Sequence, residues 1–326
     1  MRDRPDARPR AGPPEVARVV EEVSFLKGSL LDEQALRPPG SPPISGTPRE
    51  EAAHGERRKR RLVELLRENV DAGILDVSST VLVVGASLAD LQALRAAGFR
   101  KILLSNIRTD DEREPGCPLV VTDAQDLAVS SESCDIVAAF EMLHHCRSPH
   151  RVLCEMLRAA RHHVLILEPN ESSLMRGLVH LKLSHPYELL SVARNQPDRG
   201  GLCNTGIPNF VYRWNRNEIR KTTSSYLPEF RFEFRTRAYW DFPAGPRNLE
   251  NRPGTIIPTL VHRVGGRTLV VVLDRAARIM NRLPGITRQG NKWFCIVTKT
   301  GRLQPWLKRE GGRIVVDRSA LRSPKG

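Results

Sequence analysis

The sequence predicts an α/β protein built on a mostly parallel sheet with helices on both faces. Three observations carry this. Short β-branched apolar runs recur through the middle of the chain, as in strands buried on both sides. Segments of helical period separate them. Hydrophobic residues make up 40% of 326 positions, enough for a sizeable core.

Taken in order, residues 1–50 include "RPPGSPPISGTPRE" (Arg37–Glu50), whose prolines and glycines oppose regular structure. Within them only Glu15–Leu31 has the pattern of a short helix. From Glu56 onward Leu62, Leu65, Leu66 and Val70 recur at helical spacing. "TVLVVG" (Thr80–Gly85) reads as a fully buried strand, and Leu88, Leu91, Leu94 and Ala97 mark a helix stopped at Gly98. "KILLSN" (Lys101–Asn106), "PLVVTD" (Pro118–Asp123) and "CDIVAAFE" (Cys134–Glu141) follow as strands. A helix through His150–Arg161, a strand through His162–Asn170 and a helix through Glu171–Leu183 continue the alternation. His185–Thr223 is irregular. Phe230, Phe232 and Phe234 then alternate with Arg231, Glu233 and Arg235, a strand with one wet face. Arg267–Leu283 is expected as a helix and "KWFCIVTKT" (Lys292–Thr300) as the last strand, before a basic tail or small hairpin. The organisation is therefore a flexible segment over 1–50, a folded domain over 51–300 and a basic tail over 301–326. Residues 184–228 and 243–290 are insertions on the substrate side.

The net charge is +14, part of it in "RDRPDARPR", in Glu56–Arg61 and near the C-terminus. Such clusters are expected to be solvated tails, although a surface of this sign also attracts phosphates and anionic headgroups. Aromatic residues are not interleaved with the basic runs, so a nucleic-acid signature is missing. The six cysteines (Cys117, Cys134, Cys146, Cys154, Cys203 and Cys295) contain no C-x-x-C pair, which points to reduced thiols rather than disulfides or a zinc site. No apolar run is long enough to span a bilayer, and the N-terminus lacks a secretory h-region, so a cytoplasmic location is expected.

Ligands of parallel sheets sit beyond the carboxyl ends of the strands. Gly85 there permits positive φ and close approach of a ligand, and the following helix offers free N–H groups. The third strand leads into Asp123-Ala124-Gln125-Asp126, and Asp135 opens the fourth. The fourth strand ends in "AFEMLHHCRSPHRVLCEMLR" (Ala139–Arg158) and the fifth in "VLILEPN" (Val164–Asn170).

These segments resemble the D-A-x-x-L-P-F…D-x-V, LHH…P…L.E..R and l.i.eP motifs of class I S-adenosylmethionine-dependent methyltransferases, among them those of quinone biosynthesis. The resemblance runs from Leu62 to about Pro169. It implies a Rossmann-like fold with a seven-stranded sheet, and S-adenosylmethionine as cofactor. It assigns Gly85, Ala86 and Ser87 to the methionine end and Asn106 to the ribose hydroxyls. Asp123 would accept from the adenine amino group, with Ala124 and Gln125 along the ring, and Phe140 and Glu141 would face the sulfonium. The chain departs from the pattern at Val83, Ser87 and Ala89, and at Asn106, where the family places a carboxylate; Asp110 and Asp111 lie beyond that strand.

An acceptor hydroxyl would need a general base of near-neutral pKa, and His144 and His145 are the candidates, with Glu141 next. "HHCRSPH" (His144–His150) lacks a metal-ligand spacing, so no metal is expected. Glu168 ends the fifth strand near the cleft, and Tyr212, Arg213 and Trp214 either cap an acceptor pocket or pack. No Asn-Pro-Pro-Tyr or Asp-Pro-Pro-Tyr follows the fourth strand, which argues against methylation of a nucleobase amine. No G-x-G-x-x-G follows the first, which argues against a nicotinamide dehydrogenase. The resulting expectation is methyl transfer to a small-molecule acceptor, at oxygen. A catalytically degenerate scaffold of the same fold and an RNA methyltransferase are the alternatives.

Overall fold

In the computed structural model, which describes residues 48–107, 117–188, 207–242, 245–250, 252 and 254–321, the expected strands of the middle region form and join one sheet. The helix expected over Glu15–Leu31, nearly all of the 1–50 segment expected to be flexible, Asp110, Asp111 and Cys203 lie outside the described residues. In chain order the first half comprises α1 (Pro48–Asp71), β1 (Thr80–Val84), α2 (Leu88–Ala96), β2 (Lys101–Asn106), β3 (Leu119–Val121), β4 (Cys134–Phe140), α3 (Pro149–Ala159) and β5 (Ala160–Pro169). The second half comprises α4 (Ser173–His180), α5 (Arg216–Tyr226), β6 (Phe230–Tyr239), α6 (Pro246–Glu250), α7 (Ile257–Val264), α8 (Gly266–Met280), α9 (Pro284–Thr287), β7 (Lys292–Leu303), β8 (Leu307–Glu310), β9 (Arg313–Val316) and α10 (Arg318–Leu321). Of the two readings of the C-terminus the hairpin is the one found, as β8 paired with β9.

The sheet order is β3-β2-β1-β4-β5-β7-β6, parallel from β3 to β5, with β7 antiparallel to both β5 and β6. Successive strand residues point to opposite faces, so the continuous apolar runs feed two cores at once. Val81, Val83, Ile136, Ala138, Leu165 and Leu167 pack under α1 and α2, against Leu62, Leu66, Leu91 and Leu94. Leu82, Val84, Val137, Ala139, Val164 and Ile166 pack under α3 and α5, against Leu153, Met156, Leu157 and Ile219. β6 keeps the alternation of half-buried and exposed residues that its Phe/Arg pattern predicts.

Two expectations need correction. The Glu56–Arg61 charge run is not a solvated tail but part of α1, because Arg58 lies one turn before Leu62 on the helix face that docks. The folded region accordingly begins before residue 51, at Pro48, and its last sheet strand runs past 300 to Leu303. The two insertions both leave the sheet at the carboxyl ends of the parallel strands. The first follows β5. The second joins Tyr239 of β6 to Lys292 of β7, residues that pair with each other at that same edge.

At the opposite edge Asp135 clamps β1 to β4. Its Oδ2 accepts from the Thr80 N–H and from Thr80 Oγ1, each at 2.8 Å, and Arg161 pairs with Oδ1. The Thr80 backbone bond is the main reason its carboxyl titrates below the ordinary value of 3.8. A depressed carboxyl stabilises the fold above its unfolded pKa and loses that contribution as pH falls through the folded one. We expect Asp135→Asn to cost about 1–2 kcal/mol near neutral pH in urea unfolding, with the gap to the parent closing as pH drops below 3.8.

Candidate functional site

Both central strands end in a left-handed residue: Gly85 (φ 63°) beyond β1 and Glu141 (φ 56°) beyond β4. Glycine takes this conformation freely, and a Cβ at Gly85 would lie 2.2 Å from Met142 Cγ, so the two turns are packed on each other. For a glutamate the same φ costs about 1–3 kcal/mol and requires partners. Glu141 has them. Its N–H donates to the Leu167 carbonyl at 2.6 Å, Arg58 Nε donates to Oε2 at 2.7 Å, and Lys292 Nζ donates to Oε1. Arg58 Nη2 also reaches Asp90 Oδ1 at 2.8 Å and donates to the Phe140 carbonyl at 3.1 Å. The Arg58 side chain is 17% exposed and that of Asp90 2%.

The four charges come from four elements. Arg58 lies on the inner face of α1, Lys292 opens β7, Glu141 follows β4, and Asp90 closes the first turn of α2. Two cations face two carboxylates, so the cluster is internally balanced. Burial alone would raise the Glu141 carboxyl; the charges of Lys292 and Arg58 overcome it and hold it well below the usual range. Burial likewise opposes the positive charge of Lys292, and Glu141 more than compensates.

Ser87 accepts from Asp90 N while Asp90 Oδ2 accepts from Ser87 N at 2.9 Å, a reciprocal capping box at the start of α2. The serine that stands where the family has a second loop glycine is thereby committed to the helix. Asn106 Nδ2 donates to the Ala86 carbonyl at 3.3 Å and Oδ1 accepts from Ile107 N, stitching the end of β2 to the Gly85 turn. Asp123 stays exposed beyond β3, its Oδ1 accepting from Gln125 N at 2.8 Å. Gln125 Oε1 in turn accepts from Ser148 N, and Ala124 packs at the margin of the α3 core. Phe140 is a correction. Expected at the site, its ring is buried in the α1 core, because it shares a strand face with Ile136 and Ala138.

Beyond Glu141 the chain is organised by Glu168, which is fully buried. Its Oε1 accepts from Met142 N (2.8 Å) and Leu143 N (2.7 Å), and Oε2 pairs with His144 Nδ1 at 2.6 Å. His144 Nε2 lies 3.7 Å from Glu188 Oε1. Burial opposes protonation of His144, but the charge and hydrogen bond of Glu168, aided by Glu188, raise it to about 9. It is an imidazolium near neutral pH and has no lone pair to accept a proton, which corrects its candidacy as a base. The same argument applies to Glu141, whose oxygens are committed to cations.

His145 differs. Burial and the neighbouring His144 charge both lower its pKa. The Pro208 backbone acts in the opposite direction but does not offset them. His145 Nδ1 is buried without a hydrogen-bond partner among the described residues. The two rings are 4.0 Å apart, and donor atoms of His144, His145 and Glu188 lie within 4.8 Å of one another. The His144–Glu188 ion pair ties two of the three together. The His-rich motif alone did not disclose it, because Glu188 comes from a different element.

Tyr212 and Trp214 take the packing alternative. Tyr212 hydroxyl bonds His150 Nε2 at 2.9 Å and Glu218, and Trp214 is fully buried in the α3 core. Arg213 Nη2 donates to the His185 carbonyl at 2.8 Å.

A sheet ordered 3-2-1-4-5-7-6 with an antiparallel seventh strand, turns opened by left-handed residues beyond β1 and β4, and an acid beyond β3 define a Rossmann-like transferase fold of the class I methyltransferase type. Residues 82–167 match the family described as "Methyltransferase domain". That matched segment is a methyltransferase domain, of the kind that uses S-adenosylmethionine as cofactor. Among solved structures, the chain is similar to a complex between the Haloferax volcanii Trm112 methyltransferase activator and a methyltransferase (15% identity, 77% of this chain and 92% of that one, TM-score 0.45). It is also similar to a SAM-dependent methyltransferase from Thermotoga maritima (12%, 77% and 98%, TM-score 0.40). A third is the magnesium protoporphyrin IX methyltransferase of Synechocystis PCC 6803 with bound SAH (10%, 74% and 83%, TM-score 0.41). No curated protein matches the chain.

Removing Arg58 leaves Asp90 and Glu141 facing each other across Lys292 alone. We expect Arg58→Met to destabilise the protein by roughly 3 kcal/mol, measured by urea unfolding, while Arg60→Ala on the exposed face of α1 stays close to the parent.

Proposed function

We propose that the chain transfers a methyl group from S-adenosylmethionine to the hydroxyl of a small-molecule acceptor. The observation that carries this reading is a shared edge: Gly85, Asn106, Asp123 and Glu141 end or follow the four neighbouring strands β1, β2, β3 and β4. The donor set suits the cofactor at both ends. Asp123 offers an exposed carboxylate to the adenine amino group, with Gln125 beside it. Gly85 offers a backbone free of a Cβ, with the flexible Met142 side chain over it. The Arg58–Glu141–Lys292 cluster holds the backbone of the Glu141 turn in place beside it. Among the described residues the ribose position has no charged acceptor, and Asn106 bonds the loop with its amide. An amide in place of a carboxylate weakens such a contact by about 1–3 kcal/mol.

Bound there, S-adenosylmethionine supplies an electrophilic methyl group. The chain's own part is to align the acceptor, keep water out and take up a proton. His145 Nδ1 is suited to receive the hydroxyl proton, being buried on a ring whose pKa is lowered and having no competing partner among the described residues. His144, fixed on Glu168, supplies a positive charge beside it and keeps His145 neutral.

Calorimetric titration with S-adenosylhomocysteine is expected to give micromolar binding, weakened about tenfold by Asp123→Ala. His145→Ala should retain that affinity and lower kcat by about a hundredfold or more once an acceptor is in hand. Lack of binding up to millimolar ligand would instead favour a degenerate scaffold of this fold.

A further inference from the structure

Eighteen large hydrophobic side chains are exposed among the described residues, and ten of them lie in the two insertions at the carboxyl edge. The densest part is α8, where Val271, Val272 and Ile279 are 49%, 54% and 59% exposed. Val264 before it and Leu283 and Ile286 after it continue the patch. On α8 itself, the exposed positions 267, 268, 271, 272, 275, 278 and 279 share one helical face. The other face is anchored through Ala277 and Met280 to Met175, Trp240 and Phe242. The outward face therefore mixes exposed aliphatic side chains with arginines although the helix is firmly seated.

Its charge is equally one-sided. Residues 245–291 contain eight arginines and two acids. Arg263, Arg267, Arg275, Arg278, Arg282 and Arg288 are exposed among the aliphatic side chains, while one of the two acids, Asp274, is already paired with Arg57 and Arg278. An apolar surface of this extent on a soluble fold marks a contact site. A second copy would set arginines against arginines across an isologous interface, an unfavourable pairing. Nucleic acid accounts for the charge but not for branched aliphatics, which offer no ring for bases to stack on. An anionic bilayer accounts for both, with aliphatics entering the acyl boundary and guanidinium groups on lipid phosphates. No helix among the described residues is long and apolar enough to cross a membrane, so the contact is a surface one.

We propose that α7 and α8 dock this protein on an anionic lipid surface, with Val271, Val272 and Ile279 inserted and the flanking arginines on headgroup phosphates. The insertion that carries them leaves and rejoins the sheet at Tyr239 and Lys292, beside the Glu141 cluster.

The test is co-sedimentation of the full chain, without S-adenosylmethionine, with vesicles of phosphatidylcholine plus phosphatidylglycerol and with pure phosphatidylcholine vesicles. Binding is expected only to the anionic vesicles and should weaken as salt is raised. A triple Arg275→Glu, Arg278→Glu, Arg282→Glu variant should bind at least a hundredfold more weakly, at about 1 kcal/mol per arginine lost. Val271→Glu with Val272→Glu should also lose binding. Both variants should keep the parent's thermal melt and S-adenosylhomocysteine affinity, which separates docking from the methyltransferase reading. Equal binding by the variants, no preference for anionic vesicles, or a solution dimer that Val271→Glu dissociates would overturn the proposal.

Discussion

The ion cluster on Glu141 is the constraint from which the carboxyl edge takes its shape. β4 is the centre of the sheet, and it ends in a left-handed glutamate that would not hold that conformation alone. Arg58 from the first helix and Lys292 from the last sheet strand converge on it, so residues far apart in sequence close on one carboxylate. Because the cluster is partly shielded from water, its pairs are worth more than surface salt bridges. Arg58 also binds the Phe140 carbonyl and Asp90, which fixes α1 over the start of α2. The Gly85 turn is thus held from both sides.

A second buried carboxylate, Glu168, organises the next stretch of chain. It accepts two backbone N–H groups of the turn and one imidazole, and it leaves His144 as a cation. Two neighbouring histidines consequently have different chemistries. One is charged and fixed; the other is neutral with an open Nδ1. Environment rather than residue type makes the distinction, as in other sites where adjacent titratable groups are pushed apart.

The edge is built up further by the insertions after β5 and β6. Asn170 Nδ2 donates to the Gly290 carbonyl at 2.7 Å, and Trp240 Nε1 donates to the Ile286 carbonyl at 2.9 Å. These bonds tie the second insertion to the sheet. Gly290 is required for this closeness, since a Cβ there would lie 2.4 Å from the Tyr239 backbone. The arginine-rich face of α8 is accordingly carried on a fixed support.

The strands of the parallel region, α2, α3 and the Phe/Arg alternation of β6 were legible in the sequence, because period-2 and period-3.6 patterns are local consequences of which face is buried. The acid beyond β3 and the His-His pair beyond β4 were legible as motifs. What those residues do was not. Arg58 stood in a run of charges whose single inward position is marked only by its spacing to Leu62. Lys292 reaches Glu141 only because β7 inserts antiparallel between β5 and β6, and Glu188 meets His144 across a long connection. Phe140 faces the core through strand parity set by its neighbours. The sequence by itself determined the layers, the strand edges and the residue types at the cleft. Tertiary structure decided their charges and free lone pairs, because ionisation follows from partners and burial, which are set by contacts between distant segments.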